Sequence, residues 1–133
     1  MIEVEVIGRR RYAPDGPSPS EIRRLCRAAA SSAGVHEGHV AVHFVDEQRI
    51  ADLNDRHRAR PESTDVLAFP IDGAEAVPGG PRELGDVVVC PPRTVDLREA
   101  VVHGMLHLVG MDHETDDGEM LVLQANLLAE DRR

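Results

Sequence analysis

Three of the seven histidines in this chain fall in one short segment, HGMLHLVGMDH, at residues 103–113. The spacing is H-x3-H-x5-H. On a helix, His103 and His107 lie one turn apart and point to the same face. Gly110 lets that helix end in a left-handed turn, after which the chain can swing His113 back towards the same point. Three neutral imidazoles around one position suit a metal cation. With a fourth position left open, they describe a catalytic Zn²⁺ site, one ion per chain, more closely than a structural site closed by four protein ligands. The plainer alternative is that each histidine is a satisfied core residue, which suits one histidine better than three at this spacing. His36, His39 and His43 share no such spacing and read as non-ligands.

The segment also matches the metzincin protease pattern HExxHxxGxxH at its histidines and glycine. In those proteases the glutamate beside the first histidine is the general base. Here that position is Gly104, which has no side chain. The ligand spacing is kept, while the base for peptide hydrolysis is gone.

The elements that must position these residues follow from periodicity. IEVEVI (2–7) alternates like a strand, and Ser18-Pro19-Ser20-Glu21 opens a helix to about Ala33, with Ser18 as N-cap and Glu21 closing a capping box. HVAVHFVD (39–46) is a second strand. EQRIADLNDRHR (47–58) is a helix whose Ile50, Leu53, Asn54 and His57 share a stripe. DVLAF (65–69) and GDVVVC (85–90) are further strands, with loops through 59–64 and 71–84. The histidine helix runs from about Val95 to Val109, and a last helix with an acidic first turn from about Asp116 to Glu130. The order predicts an α+β fold: a single domain spanning 1–133, with helices packed on one mixed four-stranded sheet and a zincin-like helix carrying the metal site.

Composition narrows the function classes. The chain has 133 residues and a formal net charge of −9, and all 15 of its positive side chains are arginines. An acidic protein grips polyanions poorly except through local positive patches. Arg9-Arg10-Arg11 and Arg56-Arg58-Arg60 are candidates for such patches, or are solvated faces. Tyr12, Phe44 and Phe69 are the only aromatic rings of those types, which argues against a surface that binds single-stranded nucleic acid mainly by stacking bases on them. Cys26 and Cys90 read as buried, reduced thiols. No signal-peptide core or membrane-length apolar run is present, so a cytoplasmic protein with no membrane partner is expected.

HGMLHLVGMDH resembles the HGxLHLxGxDH signature of the YbeY endoribonucleases, bacterial enzymes of ribosomal RNA maturation. LNDRHRARPESTDVLAFP (53–70) is similar to that family's LNxxYRxxxxPTDVLSFP segment, and LGDVVVC (84–90) to its LGDIVI strand. The resemblance implies that His103, His107 and His113 are zinc ligands and that Arg58 is the arginine needed for activity. It further implies a zinc-dependent endoribonuclease specific for single-stranded RNA, acting in 16S rRNA 3′-end maturation and ribosome quality control. The implied partners are the 16S rRNA precursor and the ribosome, with a ribosomal protein or GTPase as a further one.

Other residues carry two readings each. Arg58 suits paired hydrogen bonds to a phosphodiester, or a surface ion pair. Asn54 either orients Arg58 or is an ordinary polar residue of its helix. Thr64 and Asp65 are substrate groups or a loop cap before a strand, and Asp112 supports a ligand or the turn. Asp112, Glu114 and His57 are candidate general bases. The chain departs from the family at Ser63, His57 and Met111, and the stretch between Cys90 and His103 is shorter, which alters one wall of the cleft. A peptide or ester hydrolase, and a ribosome-associated binding module with structural zinc, are the competing functions.

Overall fold

The computed structural model describes residues 1–58, 65–71 and 82–132, with the side chain of Arg58 excepted. The loop expectations for 59–64 and most of 71–84, including Thr64, Ser63 and Arg60, lie outside the described residues.

Four strands make one mixed sheet in the order β1-β2-β4-β3. They are β1 (Ile2–Ile7), β2 (Gly38–Phe44), β3 (Val66–Pro70) and β4 (Glu83–Val89). β1 and β4 both run parallel to β2, and β3 pairs antiparallel with β4 at the sheet edge. The helices are α1 (Arg9–Tyr12), α2 (Pro19–Ser32), α3 (Glu47–Arg58), α4 (Leu97–Leu108) and α5 (Glu119–Asp131). The α+β single-sheet architecture is therefore the one expected from the sequence.

Strand alternation sorts the core into two clusters. Val40, Val42, Phe44, Val87 and Val89 point to the face covered by α2 and α4, where Ile22, Leu25, Val101, Met105 and Leu106 are fully or almost fully buried. Val88 and Cys90 point the other way, and pack with Leu67 against Ile50 of α3. Cys26 and Cys90 are both buried and unpaired, and burial pushes the Cys26 thiol up to about 12.

Local signals behave as their chemistry dictates, with three differences. Ser18 Oγ accepts from Glu21 N at 3.1 Å, so the N-cap forms. The Glu21 carboxylate does not close the capping box; it accepts from Arg98 Nε at 2.7 Å, because a partly buried guanidinium is a stronger donor than the backbone amide. Asp131 accepts from both Arg24 and Arg98, so one charged cluster ties α2, α4 and α5 together. α1 has no counterpart in the sequence reading. Its Arg9 donates to the carbonyls of Pro17 and Gly16, and Arg11 lies over the Tyr12 ring, so this cluster braces a loop. α5 begins three residues later than expected, because Asp116 forms a preceding turn by accepting from Gly118 N and Met120 N.

Candidate metal centre

α4 starts where Asp96 caps it, accepting from Arg98 N and Glu99 N. It then lies closely on β4. A Cβ at Gly104 would sit 2.5 Å from Val87 Cγ1 and 3.2 Å from Val66 Cγ2. The position that carries the metzincin glutamate is thus pressed against the sheet, and no side chain fits there. That close approach turns the neighbouring faces of α4, with His103 and His107, towards the edge strand β3.

The end of α4 supplies the third histidine. Gly110 sits at φ 102, Gly110 N bonds His107 O, and Met111 N bonds Leu106 O, the two bonds of a Schellman motif. This turn brings His113 back over the helix end. The ring centroids lie 4.7 Å (His103–His107), 5.1 Å (His103–His113) and 5.2 Å (His107–His113) apart. One nitrogen from each ring lies within 4.8 Å of the others, close enough for one cation between them. All three rings are half-buried.

Two neighbours fix the rings. His103 Nδ1 donates to Gln124 Oε1 at 2.8 Å, and His107 Nδ1 donates to Met111 O at 3.0 Å. With Nδ1 carrying the proton, each Nε2 keeps its lone pair, which is what a metal ligand requires. Burial, and next the neighbouring His103 ring, hold the His107 ring below the usual histidine range, which favours the neutral form. The donor set, three imidazoles of which two have oriented tautomers, therefore fits a Zn²⁺-type ion and leaves room for a non-protein ligand.

A cleft of about 540 Å³ opens over the histidines, walled by β3 on one side and by residues 110–114 on the other. Asp65 and Asp112 both line it. Asp65 Oδ1 accepts from Val66 N, so it also caps the start of β3. Asp112 accepts from Glu114 N, and its carbonyl accepts from Thr115 N and Asp116 N, so it builds the ligand turn. Glu114 shares the cleft, whereas His57 does not: its ring packs on Phe69, 4.7 Å between centroids, on the opposite face of the sheet. Asn54 is buried on α3 and lines neither the cleft nor its neighbour. Arg58 ends α3, with its side chain outside the described residues.

Gln124 is the functional residue that sequence reasoning missed. The signal was a polar side chain in the apolar stripe Met120, Gln124, Leu127; it is only 8% exposed. A second departure concerns charge. Among the described residues lining the cleft and the cavity beside it, the only arginine is Arg93, against the carboxylates of Asp65, Asp96, Glu99, Asp112 and Glu114.

No helix among the described residues is long and apolar enough to cross a membrane. A model of the family described as Endoribonuclease YbeY matches residues 18–130, reaching well upstream of the motifs that carry the sequence resemblance. The endoribonuclease YbeY of Alcanivorax borkumensis is 32% identical over 124 residues, covering 83% of this chain and 71% of that protein. That of Rubrobacter xylanophilus is 41% identical over 100 residues, covering 72% and 70%. The solution structure of TM1509 from Thermotoga maritima superposes with a TM-score of 0.54 at 25% identity, over 96% of this chain and 88% of the other. A glycine pressed on the sheet where a protease keeps its base, three histidines around one point, and matches of this extent lead to one assignment: the chain belongs to the endoribonuclease YbeY family.

Proposed function

We propose that this protein is a zinc-dependent endoribonuclease that cuts single-stranded RNA, with His103, His107 and His113 as the ligands. The observation that carries the proposal is the pairing of a three-histidine centre with a sealed Gly104, in a chain of this family. When bound, zinc supplies Lewis acidity, which draws charge from a phosphoryl oxygen and eases loss of a proton from water. Gln124 and Met111 O hold two ligand rings in the productive tautomer. Arg58 takes the scissile phosphate through paired hydrogen bonds, stabilising the charge that develops on its oxygens. Asp112 and Glu114 are the cleft carboxylates from which a proton acceptor is drawn. The biological substrate is the 3′ end of the 16S rRNA precursor on the ribosome, in the cytoplasm, in rRNA maturation and ribosome quality control. A ribosomal protein or GTPase that delivers the RNA suits a chain with a net charge of −9.

The test begins with metal content of the purified protein by mass spectrometry, beside a His107→Ala variant. About one zinc per chain, lost in the variant, is expected. A wild type that takes up neither zinc nor nickel would remove the metal and the enzyme together. Cleavage of a labelled single-stranded RNA follows, with end analysis. A 2′,3′-cyclic phosphate identifies the 2′-hydroxyl as nucleophile, and a 3′-hydroxyl with a 5′-phosphate identifies water. Cleavage of a peptide library instead would replace the RNA reading, and unfolding of a His103→Ala variant would make the zinc structural.

A further inference from the structure

Beside the metal cleft lies a second cavity of about 260 Å³, and the two share Asp65, Val66 and His103 in their walls. They form one trough, with the His103 ring at the divide. The second cavity is built from the short segment between β4 and α4, together with Leu121 and Gln124 of α5. Three features say what would occupy it.

Arg93 lines it, and its guanidinium has no hydrogen bond or ion pair among the described residues. Arg9 and Arg27 are held on backbone carbonyls, and Arg24 and Arg98 on carboxylates, whereas the Arg93 guanidinium stands free at the wall of a cavity beside the histidines. An unpaired arginine beside a phosphodiester site is a phosphate contact in waiting. Val95 and Leu121 flank the same cavity and are exposed, Val95 completely and Leu121 by 49%. Apolar side chains held open at a trough suit the flat face of a base. The carboxylates complete the picture. Asp96 is taken by the cap of α4, but Glu99 is exposed and accepts readily from a ribose hydroxyl or a base amine.

We propose that this cavity is a subsite for one nucleoside of a single RNA strand, next to the nucleotide whose phosphodiester is cut, with Arg93 on its phosphate. The proposal rests on the endoribonuclease reading and extends it. The strand would cross His103 from the metal cleft, with its phosphate turned to Arg93 and away from Asp65 and Glu99. Recognition here needs no aromatic ring, in keeping with a chain that has few.

The test uses the full zinc-loaded protein and a labelled single-stranded oligoribonucleotide, with KM and kcat measured at several salt concentrations. Arg93→Ala should raise KM about 10-fold and flatten the dependence of log(kcat/KM) on log salt by about 0.7, the loss of one phosphate contact on a single strand. Arg132→Ala is the charge control. It is the C-cap of α5, eight residues beyond Gln124 and about 12 Å along the axis, and should leave both quantities unchanged. If the wild type cuts the RNA and Arg93→Ala behaves like Arg132→Ala, the subsite is wrong and the endoribonuclease reading stands. If the wild type does not cut RNA at all, both readings fall.

Discussion

Gln124 Oε1 lies 2.8 Å from His103 Nδ1, so a buried amide on α5 decides which nitrogen of a ring on α4 faces the metal position. Gln124→Ala leaves that ring free to rotate and to change tautomer. Metal affinity should fall 10- to 100-fold, the usual penalty for losing such a support, while Gln124→Glu should keep it, since a carboxylate accepts the same bond. Competition against a chelator of known affinity measures this directly. Wild-type affinity in the alanine variant would reduce Gln124 to a packing residue.

Gly104→Ala tests the contact between α4 and the sheet. The new Cβ would stand 2.5 Å from Val87 Cγ1, a collision that requires α4 or β4 to shift. A loss of about 1–3 kcal/mol in urea denaturation is expected. Val87→Ala in the same chain should return part of it, and additive losses in the double variant would show that the two residues do not touch. The glutamate of the metzincin pattern would overfill the same space, so Gly104→Glu should give a poorly folded protein with no peptidase activity.

At Gly110 the same substitution acts for a different reason. No atom lies within 4 Å of the Cβ position, so the space is open, but φ is 102. Gly110→Ala should therefore lose about 1–2 kcal/mol through backbone strain alone. It should also weaken metal binding, because His113 follows the turn. Circular dichroism melting and chelator competition, run together, separate the two effects. A fall in stability with unchanged affinity would mean that the turn re-forms around the metal.

Stability should depend on pH in two windows of opposite sign. Asp131 is held down at about 2, first by its hydrogen bond to Arg24 and then by Arg98. Its folded value is depressed, so its contribution is present above about pH 4 and is lost as pH falls through about 2. Asp131→Asn should remove that acid limb and destabilise the protein at neutral pH by about 1.5–3 kcal/mol. His39 is raised, chiefly by Glu83 and then by Glu5. Its contribution is present below about 6.5 and fades as pH rises through the folded value. Urea midpoints between pH 5 and 9 should show a decline in the wild type that His39→Gln lacks.

The histidine centre was legible in the sequence because its geometry is local: one helical period, one left-handed glycine and eleven residues. The element order was legible for a similar reason, since period-two and helical patterns are written along the chain. Gln124 was not, because its meaning depends on α5 packing against α4, which no spacing within α5 reveals. Glu21 shows the converse: a local capping rule was overridden by Arg98, 77 residues away. The trough beside His103 was hidden for the same cause, since Arg93, Leu121 and Asp65 meet only once β3, α4 and α5 are in place.

The contiguity of the ligands has a further consequence. One short helix and its turn can carry the whole metal-gripping unit, and closing so small a loop loses little chain entropy. The walls around it come from distant stretches: the edge strand, the β4–α4 connection and the last helix. The histidine cluster and the walls of its trough are therefore separable in this fold. The walls can be shortened, recharged or re-tailored to a new RNA by changes that never touch the three histidines.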